Sequence, residues 1–342
     1  MATIGNTFLN LIDMYKSAGG QEAQLGEVVE VLRQLNPLME DAVTAECNMG
    51  TFHRHMIRTG LPTVTWGMLY QGIPQSKSTT QQVDDTTGFV EGLSTVDTRL
   101  LDISPNPAAV RLNEARGYLE AMAQEVQKGF FYHDTATTPE RFKGLAARYG
   151  KIGGGGGAGN QIVNAGGAGS DNTSIWFVTH GDAYTTLLHP KGTKAGVTRE
   201  DKGEQRTLDG NGAVYYVKEE LFRQHVGVAV RDWRFNARIA NIDVSDVAAG
   251  TVDLYKFLRK AYYKLQARRA PKMQDVPAVG RTVIYMNRDM LEALDALATN
   301  KGAVDSFVRL TPMELEGKEV MSYRGIPIRE TDALINAEAV VS

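Results

Sequence analysis

One stretch limits the possible folds more than any other. Asn106 followed by Pro107 is a helix start, since Asn caps free backbone amides and Pro suits the first helical position. Leu112, Ala115, Leu119, Met122, Val126 and Phe130 then recur every three or four residues. Arg111, Glu114, Glu120, Glu125 and Lys128 lie mainly off that stripe. About 25 residues rising ~1.5 Å each give a helix roughly 37 Å long. It is long for a globular domain and needs neighbours along its whole length.

A change of period precedes it. Val64, Trp66, Met68 and Tyr70 alternate with Thr65, Gly67 and Leu69, and Phe89, Val90, Leu93 and Val96 resume an apolar pattern. Between them Gln71–Thr87 is rich in Gln, Ser, Thr, Lys and Asp, with Pro74 as its breaker. Two β-like runs around a polar connection predict a long hairpin. Connections of that length are uncommon in compact domains and mark functional or protruding loops.

Elsewhere helices and strands mix without a regular βαβ rhythm, an α+β pattern. The first 50 residues predict helical pieces, with one stripe at Phe8, Leu9, Leu11, Ile12 and Tyr15 and another from Leu25 to Leu32. Acids outnumber Lys16 and Arg33 there, and the apolar residues are too few for a core, so an arm packed on something else is expected. Ile175–Val178 and Val283–Met286 read as buried strands. Asp182–Leu188 reads as a helix, Gly192–Gly212 as a loop, Val214–Val217 as a strand and Val226–Ile242 as a twisted hairpin. Thr251–Arg269 predicts a second long helix, and Val320–Ile328 a last β element returning to the sheet.

Composition excludes more than it identifies. The 342 residues are 42% hydrophobic and 23% charged, ordinary for a soluble globular protein. A net charge of −3 argues against a surface that binds nucleic acid all round, while leaving room for a local basic patch. Cys47 is the one cysteine, so no intrachain disulfide or thiolate zinc site can form. The N-terminus lacks a secretory pattern, and no apolar run approaches the ~18 residues of a membrane span. An intracellular site of synthesis with no membrane partner is expected.

Chemical motifs are weak. Gly154-x-Gly156-x-x-Gly159 formally matches a dinucleotide fingerprint, but Gly153–Gly157 is an unbroken glycine run, which satisfies almost any glycine pattern. The functional motif needs a strand before it and a helix after it. A flexible linker is the simpler reading. His53 and His55 can share one side of a strand, yet no further cluster completes a metal site. No catalytic residue, cofactor or metal is predicted. The clearest charge feature is Lys256, Arg259, Lys260, Lys264, Arg268 and Arg269, with Asp253 as the local acid. This is either a solvated face paired with acids elsewhere or an electrostatic surface toward other subunits or DNA.

Taken in order, a helical arm, the string LPTVTWGMLYQGIPQSKST, the helix from Pro107, and the strings TSIWFVTHGDAYTTLLHPKG, HVGVAVRDWRFNARIANID and RTVIYMNRDMLEAL resemble the major capsid proteins of short-tailed double-stranded DNA phages. These are the epsilon15-like subunits with the HK97-like fold. The resemblance spans nearly the whole chain. It implies an N-terminal arm over residues 1–60, an extended E-loop over 61–102, and a peripheral domain with the spine helix over 103–150. Residues 151–304 would hold the axial domain and intervening peripheral strands, and 305–342 a C-terminal return to the peripheral domain.

The implied function is a structural virion protein, not an enzyme. It would self-assemble through pentamers and hexamers into an icosahedral capsid enclosing double-stranded DNA, bound non-specifically, with cement, scaffolding and portal proteins as possible partners. Assembly would occur in the bacterial host cytoplasm. Expected inter-subunit contacts are Trp66, Met68, Tyr70, Ile73 and Lys77 on the loop, with Phe8, Leu11 and Ile12 on the arm. Lys77 is the one lysine in 61–102 and hence the one E-loop candidate for the isopeptide crosslink of some related shells, which is not expected here. The alternatives are an encapsulin-type compartment shell and a soluble nucleotide-binding α+β enzyme using Gly153–Gly159.

Overall fold

Burial of long strands on both faces organises the chain. The computed structural model describes residues 34–153, 157–269, 280–299, 310–315 and 318–342. The expected arm contacts Phe8, Leu11 and Ile12 lie outside the described residues, as do Gly154–Gly156 of the glycine run. In chain order, the one-turn helix α1 (Leu38–Asp41) precedes β1 (Thr44–Glu46), β2 (Phe52–Gly60) and β3 (Thr79–Asp97). Helices α2 (Thr98–Ile103), α3 (Pro107–Tyr132) and α4 (Leu145–Arg148) follow. Then come β4 (Ile162–Asn164), β5 (Asn172–His180), β6 (Thr185–His189), β7 (Val197–Leu208), β8 (Val214–Val230) and β9 (Ala237–Asp243). The chain ends with α5 (Val244–Ala248), α6 (Leu254–Lys264), β10 (Arg281–Met286), α7 (Arg288–Thr299), β11 (Thr311–Leu315), β12 (Lys318–Tyr323) and β13 (Ile326–Glu330).

The described strands form one hydrogen-bonded system whose main path is β11-β12-β13-β10-β5-β6-β8-β3-β2. It has two lobes. In the first, β10 lies antiparallel to β5 and parallel to β13, and β9 lies antiparallel to β5 with β4 beside it. Every residue of β5 is buried, and its period of two splits the side chains between two cores. Trp176 and Val178 join Phe130, Phe131, Tyr149, Val283 and Tyr285 on one face. Ile175 and Phe177 join Ile239, Leu254, Leu258, Ile284 and Met290 on the other, under α5, α6 and α7.

The second lobe is a long ribbon. β3 pairs antiparallel with β2 near its start and with β8 over Thr87–Asp97. Its 19 residues span roughly 60 Å at ~3.3 Å each. α3 lies against β3 and β8, through Ala115, Met122 and Phe222, and its last turn reaches the first lobe through Phe130 and Phe131. Asn106 caps it, its side chain accepting from the Ala109 amide at 3.1 Å.

Several expectations change. The stretch Asp182–Leu188 is a turn running into the strand β6, not a helix, because Thr185–Leu188 pairs with Val230–Gly227 of β8. The expected loop Gly192–Gly212 contains β7, paired with β8 in a second hairpin closed by an Asp209 turn. Val226–Ile242 is not a hairpin: β8 goes to β6, while β9 goes to β5 and β4, with one 3-10 turn at Trp233–Phe235 between them. The second long helix stops at Lys264, where Leu265 turns extended (ψ 126) to bury its side chain. The final β element is a hairpin, β12–β13, whose second strand returns to β10 as expected.

Candidate assembly surfaces

The hairpin that projects from the ribbon is built differently from its expected form. Its strands are β2 and β3, so the ascending strand begins at Phe52, inside the stretch assigned to the arm, and Val64–Tyr70 is not a strand. Residues 61–78 form the irregular tip. Within it, the Ser76 hydroxyl donates to the Thr63 carbonyl at 2.9 Å. The Gln71 amide donates to the Met68 carbonyl at 3.3 Å, across a turn that holds Tyr70 at φ 66°.

At the hairpin's root, Asp85 is buried and ion-paired to Arg148 at 2.7 Å. His53 and His55 line the same side of β2, and Arg231 lies 3.1 Å from His53. Burial first, and then Arg231, lowers the pKa of His53; burial is also the main cause lowering His55. Neutral imidazoles beside a buried carboxylate–guanidinium pair fix the root, while nothing described in the chain covers the tip. Leu61, Val64, Met68, Leu69 and Ile73 are exposed, and Trp66 is 99% exposed. Lys77 is exposed beside them. Four of the five expected loop contacts are thus large apolar side chains standing in water, on one segment. Monomeric proteins rarely display contiguous apolar patches beyond a few hundred Å².

The spine α3 adds to this. Ala115, Met122, Val126 and Phe130 are buried as the stripe requires, but Leu112 and Leu119 are exposed. The Gln34 amide donates to Glu120 at 3.0 Å, so the described chain begins alongside that uncovered face. The β7–β8 hairpin leaves Leu208, Val214 and Tyr216 exposed as well. Sequence reading missed this hairpin because β7 is charged along its length; the available signal was the Asp-Gly-Asn-Gly turn at 209–212.

The basic set divides. Lys256, Arg259 and Lys260 stand exposed on α6. Lys264 instead donates to the carbonyls of Asn160 and Ile162, tying α6 to β4, and burial lowers its pKa. Arg268 lies past the helix end, its guanidinium 4.7 Å from the centre of the Tyr263 ring. Arg269 is exposed. Among the described residues none of Lys256, Arg259, Lys260, Arg268 or Arg269 has a carboxylate partner within ion-pair distance.

The described residues hold no group of three or more His, Cys, Asp or Glu placed to bind a metal. Gly153 (φ 83°) and Gly157 (φ 108°) are the two ends of the glycine run, which is preceded by α4 and followed by one 3-10 turn at Ala158–Gln161. This is not the strand-to-helix context of a dinucleotide site.

No curated protein sequence matches the chain. A family model described as major capsid protein GP7 matches residues 20–342. A chain in the solved structure of bacteriophage Epsilon15 is 31% identical over 100% of both chains, with a TM-score of 0.76. A chain of the bacteriophage JBD30 capsid, 9% identical over 93% of this chain and 97% of its own with a TM-score of 0.53, shares the fold. The long hairpin, the spine helix and the mixed α+β lobes are thus those of an HK97-like subunit. The chain belongs to the GP7 family of major capsid proteins, structural subunits of a multimeric icosahedral phage shell located in the virion capsid.

Proposed function

We propose that the tip at 61–78 is the E-loop by which each subunit lies across its neighbour, with Trp66, Met68, Tyr70, Ile73 and Lys77 in the contact. The observation that carries this is the stranding of Trp66, Met68, Tyr70 and Ile73 in water at the end of the β2–β3 hairpin, which extends a β3 strand about 60 Å long. Covering apolar area stabilises by about 25 cal/mol per Å², so assembly would supply what the isolated subunit lacks. Phe8, Leu11 and Ile12 of the N-terminal arm, over residues 1–60, would contact a neighbour in the same way. The peripheral lobe would include 103–150 and the return at 305–342, and the axial lobe most of 151–304. The work done is association without catalysis. Heterologous contacts repeated through pentamers and hexamers close into rings and then a shell.

Double-stranded DNA would be the enclosed cargo, held non-specifically, with portal, scaffolding and cement proteins as partners and the bacterial host cytoplasm as the place of assembly. The test is removal of residues 61–78, replaced by a two-residue turn, with particles imaged by negative-stain microscopy and their DNA assayed by nuclease protection. The expected result is soluble subunits without shells. Normal shells from the shortened chain would contradict the loop assignment. Shells that protect no nucleic acid would contradict the DNA cargo and favour a protein-filled compartment.

A further inference from the structure

The two ends of the first lobe carry unlike charged side chains. β9, β10 and β13 run one way and β5 the other. At the end where β10 and β13 start stand Arg324 and Arg268, with Arg281 ion-paired to Asp41 at 2.7 Å, around a cleft of about 350 Å³ that Tyr262 and Pro327 also line. At the opposite end, β9 finishes at Asp243 and β10 leads into α7. There lie Asp171, Asp243, Asp246, Asp289 and Glu292, with Arg288 beside them, and none of these acids is ion-paired among the described residues.

The cationic end carries signs of use. Arg324 sits at φ 52° and Gly325 at φ 77° in the β12–β13 turn. Two successive left-handed residues favour Asn-Gly, so an arginine at the first position is conformationally expensive. Its guanidinium rests 5.2 Å from the Tyr262 ring centre and 5.6 Å from that of Tyr263, and Arg268 stacks on Tyr263. The Arg268 Nε is buried without a hydrogen-bond partner. Stacking holds both guanidiniums flat, and although Arg324 also donates to the Tyr263 hydroxyl at 3.4 Å, each keeps further N–H groups for contact to carboxylates. The acidic end offers the matching shape, a cleft of about 390 Å³ between α5 and α7 lined by Val247, Ala248, Asp289, Met290, Ala293 and Leu297. Asp246 and Glu292 are exposed near its rim.

We propose that these two ends meet between copies, the Arg268–Arg324 turn of one subunit seating in the α5–α7 cleft of the next against Asp246 and Glu292. The inference rests on the shell-subunit reading above and names a contact that would close its rings. Because the two surfaces differ, the contact is head-to-tail, and repeating it about an axis closes a ring. A second copy fits better than a polyanion for two reasons. Arginine and tyrosine are the residues enriched in protein-interface hot spots, and every copy of this net-acidic chain brings the complementary carboxylates with it.

Charge reversal on each side separates the possibilities. Arg268→Glu with Arg324→Glu, or Asp246→Arg with Glu292→Arg, should lower shell yield at least about tenfold, since like charges pressed together cost several kcal/mol. All four changes in one chain should restore shells. If either reversed pair assembles like the parent, or both fail and the combined chain is not rescued, the contact is wrong. Shells of normal yield that lose their nuclease-protected DNA when the arginines are reversed would assign the cationic end to nucleic acid instead. Should a reversed chain fail to fold, Arg324→Cys with Glu292→Cys serves as an independent test, because native Cys47 is buried. Oxidised shells of that variant should give a ladder of disulfide-linked oligomers; monomer bands alone would overturn the proposal. In every arm the parent chain, assembling through its loop, shows whether the shell reading itself holds.

Discussion

The strand β5 and the hairpin tip at 61–78 use similar side chains and leave them in opposite surroundings. Trp176 on β5 is fully buried, packed edge-on by Tyr149, with the Arg238 guanidinium 4.9 Å from its ring centre. Trp66 on the tip is almost wholly exposed. Strands β9, β10 and β6 and layers on both faces complete β5, whereas the tip has lost even its sheet partners, since β2 and β3 pair only as far as Gly60 and Thr79. The same chemistry is satisfied within the chain at one site and unsatisfied at the other. An apolar run therefore reports a need for cover without saying whose surface supplies it.

The first way to break this contrast is the largest. Trp176→Ala should destabilise the unassembled subunit by about 3–5 kcal/mol in urea unfolding, through lost transfer energy and an unfilled cavity. A value below about 1 kcal/mol would mean that β5 is not the core it resembles. Glu338 sharpens the comparison through charge. Its carboxylate accepts from Arg238 at 2.8 Å and from Ser174 and Tyr132, all in the interior, and pins the C-terminal segment to β5. Glu338→Ala should cost about 3–5 kcal/mol by leaving the Arg238 charge buried and unpaired. The tip has no such pair, and neutralising Lys77 should leave subunit unfolding unchanged.

Acid should attack the first lobe and the hairpin root and spare the tip. Burial is the main cause holding the pKa of His180 down to about 4, with the nearby Arg281 charge acting the same way against the opposing pull of Asp41. The folded value lies below the unfolded one near 6.5, so the unfolded chain binds the extra proton between them. Stability is thus intact above pH 6.5 and is lost as pH falls toward 4, by on the order of 3 kcal/mol. His53, His55 and His133 are shifted in the same direction, chiefly by burial. Urea midpoints from pH 7 to 4.5 would show the loss, and His180→Gln should reduce it, leaving the smaller share of the other three histidines.

Smaller effects follow. Asn106→Ala should cost about 1 kcal/mol by uncapping the spine helix, read as a lowered urea midpoint. Trp66→Ala should change the stability of the unassembled subunit by less than about 0.5 kcal/mol while lowering shell yield, a combination that no core residue should reproduce.

Legibility in the sequence followed the same divide. The start of α3 at Asn106-Pro107 and the buried strands at 175–178 and 283–286 were readable because local preference and core burial agree there. Thr185–His189 was not. Its Ala-Tyr-Thr-Thr-Leu-Leu approach suits a helix turn, and only pairing with β8 on one side and β1 on the other makes it a strand. The strand β7 hid for the opposite reason, since Arg199-Glu200-Asp201-Lys202 carries charge where alternation was sought. At the tip, alternation at Val64–Tyr70 suggested a strand that does not form, for want of a sheet partner within the chain. The end of α6 was misjudged because the basic residues continue past it, while the break is set by the burial of Leu265 and Ala267.

On the reading proposed above, the tip should be covered by another copy and by nothing else. Hydroxyl-radical oxidation of Trp66, measured on unassembled subunits and on shells with buried Trp176 as internal reference, tests it most directly. Trp66 should oxidise rapidly in subunits and be strongly protected in shells, with Trp176 protected in both. Equal oxidation of Trp66 in the two states would contradict that cover.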